Sequence, residues 1–85
     1  MSLSSREFFA LNGGEKIEVK IPEKPSIVYL VIGRLDQEAG GIVIVNLTNP
    51  SQRDSIRVKW SARGIIDFSD KPFDDFNQGE CRIFH

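Results

Sequence analysis

At 85 residues, with 40% apolar and 27% charged side chains and a formal net charge of −1 from 11 basic and 12 acidic groups, the chain has the make-up of one small folded domain, residues 1–85. The near-balance of charge excludes a strong global attraction to nucleic acid or anionic membrane, and one cysteine, Cys81, excludes an intrachain disulfide and a cysteine-based structural zinc site. No run approaches the roughly 18 apolar residues of a membrane span, the first residues lack a basic-then-apolar leader, and a lone thiol suits a reducing compartment, so a cytoplasmic location is expected.

The N-terminal stretch carries two competing signals. Ser4 with Glu7 matches a capping box, and Gly13-Gly14 would end a short helix. Phe8-Phe9 and the hairpin-type pair Asn12-Gly13 favour a strand instead, which is the expectation adopted. Residues 15–21 alternate strictly, with Ile17, Val19 and Ile21 on one side and Lys16, Glu18 and Lys20 on the other, the pattern of a half-buried strand. Pro22 and Pro25 end it. Residues 26–35 and 42–48 are β-branched and apolar on both sides, and read as strands separated by a turn at 36–41.

Asn49-Pro50-Ser51 opens a further turn. Residues 55–62 alternate again, with Ile56, Val58, Trp60 and Ala62 inward and Ser55, Arg57, Lys59 and Ser61 outward. Gly64 marks a bend before a short strand at 65–68. Residues 69–79 read as a long polar loop anchored by Phe73 and Phe76, and 80–85 as the last strand. Six to seven short strands with regularly spaced turns predict an all-β antiparallel sandwich, immunoglobulin-like or jelly-roll-like, with a small barrel as the alternative.

The two-sided apolar strands carry the functional expectation. In a two-sheet sandwich each strand hides one face and wets the other. With Ile27, Tyr29 and Val31 in the core, Val28, Leu30 and Ile32 face outward, and Ile42 and Ile44 join them against Val43 and Val45. Leaving such side chains in water forgoes about 1.5–3 kcal/mol each. The face must therefore be covered by the N-terminal segment, by the 69–79 loop or by another chain. The expected function is a non-catalytic interaction module that associates through Val28, Leu30, Ile32, Ile42 and Ile44, with a second copy first and another protein next, and the alternative is a small anion-, polyanion- or carbohydrate-binding β domain.

Other chemistry is weaker. His85 is the sole histidine and is terminal, so no Ser-His-Asp or Cys-His set assembles, and Cys81 reads as a small buried hydrophobe. The glycine pairs lack phosphate-loop spacing, and no cofactor is expected. Asp67, Asp70, Asp74 and Asp75 lack calcium-loop spacing and read as a solvated acidic loop, so no metal is expected. Arg53, Arg57, Lys59 and Arg63 form the most concentrated cationic stripe and are the candidate anion site, but inward-facing Trp60 cannot stack a base, so nucleic acid is not expected. Tyr29, Phe73 and Phe76 with Asp74, Asp75 and Asn77 could stack and bond a sugar, unless the phenylalanines pin the loop to the core. Asn46-Leu47-Thr48 is a glycosylation triplet, relevant only to a secreted chain.

The text Ile42 to Ser51 followed by Ile56-Arg-Val-Lys-Trp60 resembles strand–turn–strand units of immunoglobulin-like sandwiches and is similar to local sequence in major sperm protein domains. The resemblance implies a sandwich rather than a barrel, and assigns no functional residue.

Overall fold

The computed structural model describes residues 3–49 and 51–84. In chain order the elements are α1 (Ser5–Ala10), β1 (Lys16–Lys20), β2 (Ile27–Arg34), β3 (Gly41–Asn46), β4 (Ile56–Ser61), β5 (Gly64–Asp67), α2 (Asp74–Gln78) and β6 (Glu80–Phe84). All six strands join one antiparallel sheet in the order β5-β4-β3-β2-β1-β6. The all-β class stands, but the expected pair of facing sheets does not. The last strand returns to pair with β1 instead of founding a second sheet, and the single sheet curls around its core as in a small barrel. Helices α1 and α2 supply the second layer.

The N-terminal segment is a helix, not the expected strand. Ser4 is extended (φ −81°, ψ 160°), its hydroxyl accepts from the Glu7 backbone N–H at 3.1 Å, and the Glu7 carboxylate accepts from the Ser4 N–H at 3.1 Å. This reciprocal cap satisfies two donors that a helix start otherwise leaves orphaned. Six residues are too few to hold a helix alone. Burial of Phe8 and Leu11 holds it, with Phe8 5.8 Å from the Trp60 ring.

A β-bulge supplies a further hold on α1. Val31 pairs with Ile44 but Gly33 pairs with Val43, so Ile32 is an extra residue in β2. The shift turns Arg34 to the same side as Ile42, and its guanidinium donates to the carbonyls of Phe8 (3.2 Å) and Leu11 (2.7 Å). A cation thus sits on the negative end of α1 and satisfies carbonyls the helix cannot.

The 69–79 segment is not wholly loop. It contains the single turn α2, which lacks a side-chain cap and is held by Phe76, buried among Phe73 (4.9 Å) and Tyr29 (5.3 Å). Phe73 and Phe76 therefore pin this segment as expected. The same segment blunts the β5 edge. The Asn77 amide accepts from the Ile65 N–H and donates to its carbonyl, both at 2.8 Å, and Phe73 N–H donates to that carbonyl at 2.9 Å. Asn77 behaves as one peptide unit of a missing neighbour strand.

Candidate protein-binding face

The inner face of the sheet is fully committed. Ile17, Val19, Val31, Ile42, Ile44 and Val58 are at 0% exposure, packed with Phe8, Leu11 and Phe76 from the helical layer. This corrects the expected interface. Ile42 and Ile44 belong to the core and cannot contact a partner; the outward residues of β3 are Val43 and Val45. The physical reason is Asn46, which shares the parity of Ile42 and Ile44 and is only 5% exposed. Its amide oxygen accepts from the backbone N–H groups of Thr48 (2.8 Å) and Asn49 (3.0 Å), and its amide nitrogen donates to Gln52. Those bonds offset desolvation, so a polar residue faces inward.

The other three expected positions do face outward. Val28 and Leu30 are half-buried, and Ile32, pushed out at the bulge, is 52% exposed. Leu30 lies opposite Val45, and Leu47, 46% exposed, follows Asn46 beside Val28, whose carbonyl accepts from the Leu47 N–H. Cross-strand register thus joins Val28, Leu30, Ile32, Val43, Val45 and Leu47 into one aliphatic strip over β2 and β3. Neither helix reaches it, because both helices pack on the inner face.

Charged strands border the strip. On one side β1 presents Lys16, Glu18 and Lys20, with Lys16 opposite Leu30 and Glu18 opposite Val28. On the other, Arg57 lies opposite Val43, and Lys59 holds its ammonium 5.0 Å over the Phe68 ring. Arg53 lines a shallow recess with Val45 and Leu47. Arg63 is apart from these three, in the tight β4–β5 turn, where its backbone N–H donates to the Ser61 hydroxyl. The cationic stripe is therefore the rim of the aliphatic strip rather than a cluster converging on one anion. Lys16, Lys20 and Arg82 contribute to that rim and were not singled out from sequence; strict alternation about Ile17 and Val19 is the signal that could have found the first two.

The remaining candidates do not build a site. Among the described residues no three His, Cys, Asp or Glu side chains come together as metal ligands. Asp67 instead accepts from the Ser69 and Lys71 N–H groups, and Asp75 from the Tyr29 hydroxyl at 2.6 Å. The sugar-stacking set is closed off, since Tyr29 and Phe76 are buried against each other and the Asn77 amide is used by β5. Burial pushes the Cys81 thiol up from its usual range, which keeps it protonated and a weak nucleophile near neutrality. His85 lies outside the described residues, and no described helix is long and apolar enough to cross a membrane.

Tyr29 links this chemistry to stability. Burial, then the hydrogen bond to Asp75 and its negative charge, hold its hydroxyl well above the ordinary 10.0. A group that is harder to ionise folded than unfolded stabilises the fold fully below its unfolded value. That contribution is lost as pH rises beyond 10.0, when only the unfolded chain gives up the proton. Unfolding free energy measured by urea titration is expected to fall more steeply above this pH in the wild type than in Tyr29→Phe; parallel profiles would refute the assignment.

No protein-family model, no curated protein and no solved structure matches this chain.

Proposed function

We propose that this chain is a non-catalytic binding module that associates with protein through the outer face of its sheet. The aliphatic strip over β2 and β3 carries the reading: Ile32 is 52% and Leu47 46% exposed, on a small domain whose inner face is already filled. A contiguous apolar patch bordered by charge is the anatomy of a docking surface. Two further observations support a module without chemistry of its own. Among the described residues no three His, Cys, Asp or Glu side chains come together as metal ligands, and Tyr29 and Cys81 are both pushed toward their inert protonated forms.

The test is a double variant, Ile32→Lys with Leu47→Lys. Both side chains are about half exposed, so stability should change by about 0.5 kcal/mol or less. Retention of the folded protein on a phenyl matrix should drop sharply. Equal retention of wild type and variant, or a large stability loss, would mean that the strip is not an accessible surface. Sedimentation equilibrium reads the self-associating form directly: any rise of mass with concentration should vanish in the variant, and a wild type monomeric throughout leaves a different protein as the partner.

A further inference from the structure

Resting on that reading of the outer face, we infer that its occupant is an acidic amphipathic helix, with an apolar stripe seated on β2–β3 and carboxylates on both flanks. Charge is the first ground. The outward positions of β1, β4 and β6 hold five cations (Lys16, Lys20, Arg57, Lys59, Arg82) against two carboxylates (Glu18, Glu80), a net of +3. The whole chain is −1, so everything else sums to −4. A nearly neutral protein thus collects its positive charge on the one face that also carries unpartnered aliphatic surface, and Arg53 adds another cation beside Val45 and Leu47. Electrostatic complementarity of this kind selects partners and orients them more than it adds affinity.

Dimensions are the second ground. The strip is two strands wide and lies between β1 and β4. At about 4.8 Å per strand those flanking strands are roughly 14 Å apart, and a helix with its side chains is about 10–12 Å across. A helix laid along the strip therefore puts its apolar stripe on Leu30, Val43 and Val45 and brings its flanking positions to Lys16 and Lys20 on one side and Arg57 on the other. The eight residues of β2 run about 26 Å, the length of roughly 17 helical residues.

The same charges disfavour the competing occupants. Stacking two copies face to face about an axis along the strands sets β4 over β1, and about an axis across them sets β4 over β4. Either way a cation-rich border meets a cation-rich border, and like charges in contact oppose pairing. Single-stranded nucleic acid needs exposed aromatic rings among the cations; Phe84, opposite Lys16, and Phe68, under the Lys59 ammonium, are such rings, but both lie outside the β2–β3 strip, which is aliphatic and gives a base no ring to stack on.

The probe is a synthetic helical peptide with leucines on one face and glutamates on both flanks, set against its counterpart with lysine for glutamate. Binding is followed by fluorescence anisotropy and by amide shifts of the labelled protein. The glutamate peptide should bind about tenfold or more tighter, weaken as salt rises, and shift Val28, Leu30 and Val43. Lys20→Glu with Arg57→Glu, both exposed and so folded as wild type, should reverse the preference. Equal binding of both peptides on the strip would overturn the acidic partner while upholding the binding face. Shifts confined to other surfaces, or none with either peptide, would overturn the face itself. Tighter binding to phosphatidylserine vesicles or to a DNA oligonucleotide than to the glutamate peptide would overturn the protein partner.

Discussion

Phe76→Ala is expected to lower the unfolding free energy by about 3–5 kcal/mol, as read by urea denaturation. The ring is at 0% exposure and packs edge-on to Phe73 and Tyr29, so truncation empties a volume that neighbours on a curled sheet cannot collapse into. A second loss compounds the first. Phe76 is the only fully buried side chain of α2, a five-residue turn with no side-chain cap. Without that anchor α2 no longer holds Asn77 against β5, and the Ile65 N–H loses its partner. Small domains have roughly 5–15 kcal/mol in total, so the variant should sit near the edge of folding. Phe76→Leu should recover a large part of the loss. A cost below about 1 kcal/mol for the alanine variant would mean that this aromatic group does not tie α2 to the sheet.

Gly41→Val is expected to reach the upper end of the roughly 1–3 kcal/mol range seen for overpacking. Gly41 begins β3, faces outward opposite Lys59, and is buried by Leu35 and Phe68. A Cβ there would run into the Val58 carbonyl oxygen closer than real Cβ atoms come, with Leu35 Cδ1 and Phe68 Cε1 each at 3.2 Å. The obstacle is backbone in the neighbouring strand, so relief requires prying β3 from β4 near the middle of the sheet. Reduced freedom of the unfolded chain returns only about 0.4–1 kcal/mol. Gly33→Ala is the matched control. Nothing lies within 4 Å of its Cβ position, so stability should hold within about 0.5 kcal/mol. Equal stability of the two variants would show that close approach at Gly41 is not what demands glycine.

The face that β2 turns outward was readable from sequence, while the face that β3 turns outward was not. In β2 the inward run Ile27, Tyr29, Val31 leaves Val28, Leu30 and Ile32 on the other side whatever lies beyond. In β3 both faces are aliphatic and the only polar residue, Asn46, faces inward because local backbone donors satisfy it. Period-two reasoning needs a residue that must be wet, and β3 offers none. The bulge at Ile32 adds a difficulty of the same kind. It changes parity within one strand and turns the charged Arg34 onto the carbonyls of α1.

Sequence alone determined the β class, the six strands to within a residue or two, the anchoring of 69–79 by two phenylalanines, and the inward side of every strand with a clean alternation. Those features are local, set by side-chain period and turn chemistry. Only the tertiary structure decided that the strands make one sheet rather than two, that the N-terminal segment is a capped helix, and which side of β3 is core. Each of these depends on what a segment packs against, and burial of Phe8 with the Arg34 contact outweighs the strand preference of Phe8-Phe9. The meeting of the aliphatic strip with its cationic border is likewise a product of strand order, because β1 and β4 are far apart in the chain and become the two sides of one surface only when β2 and β3 pair between them.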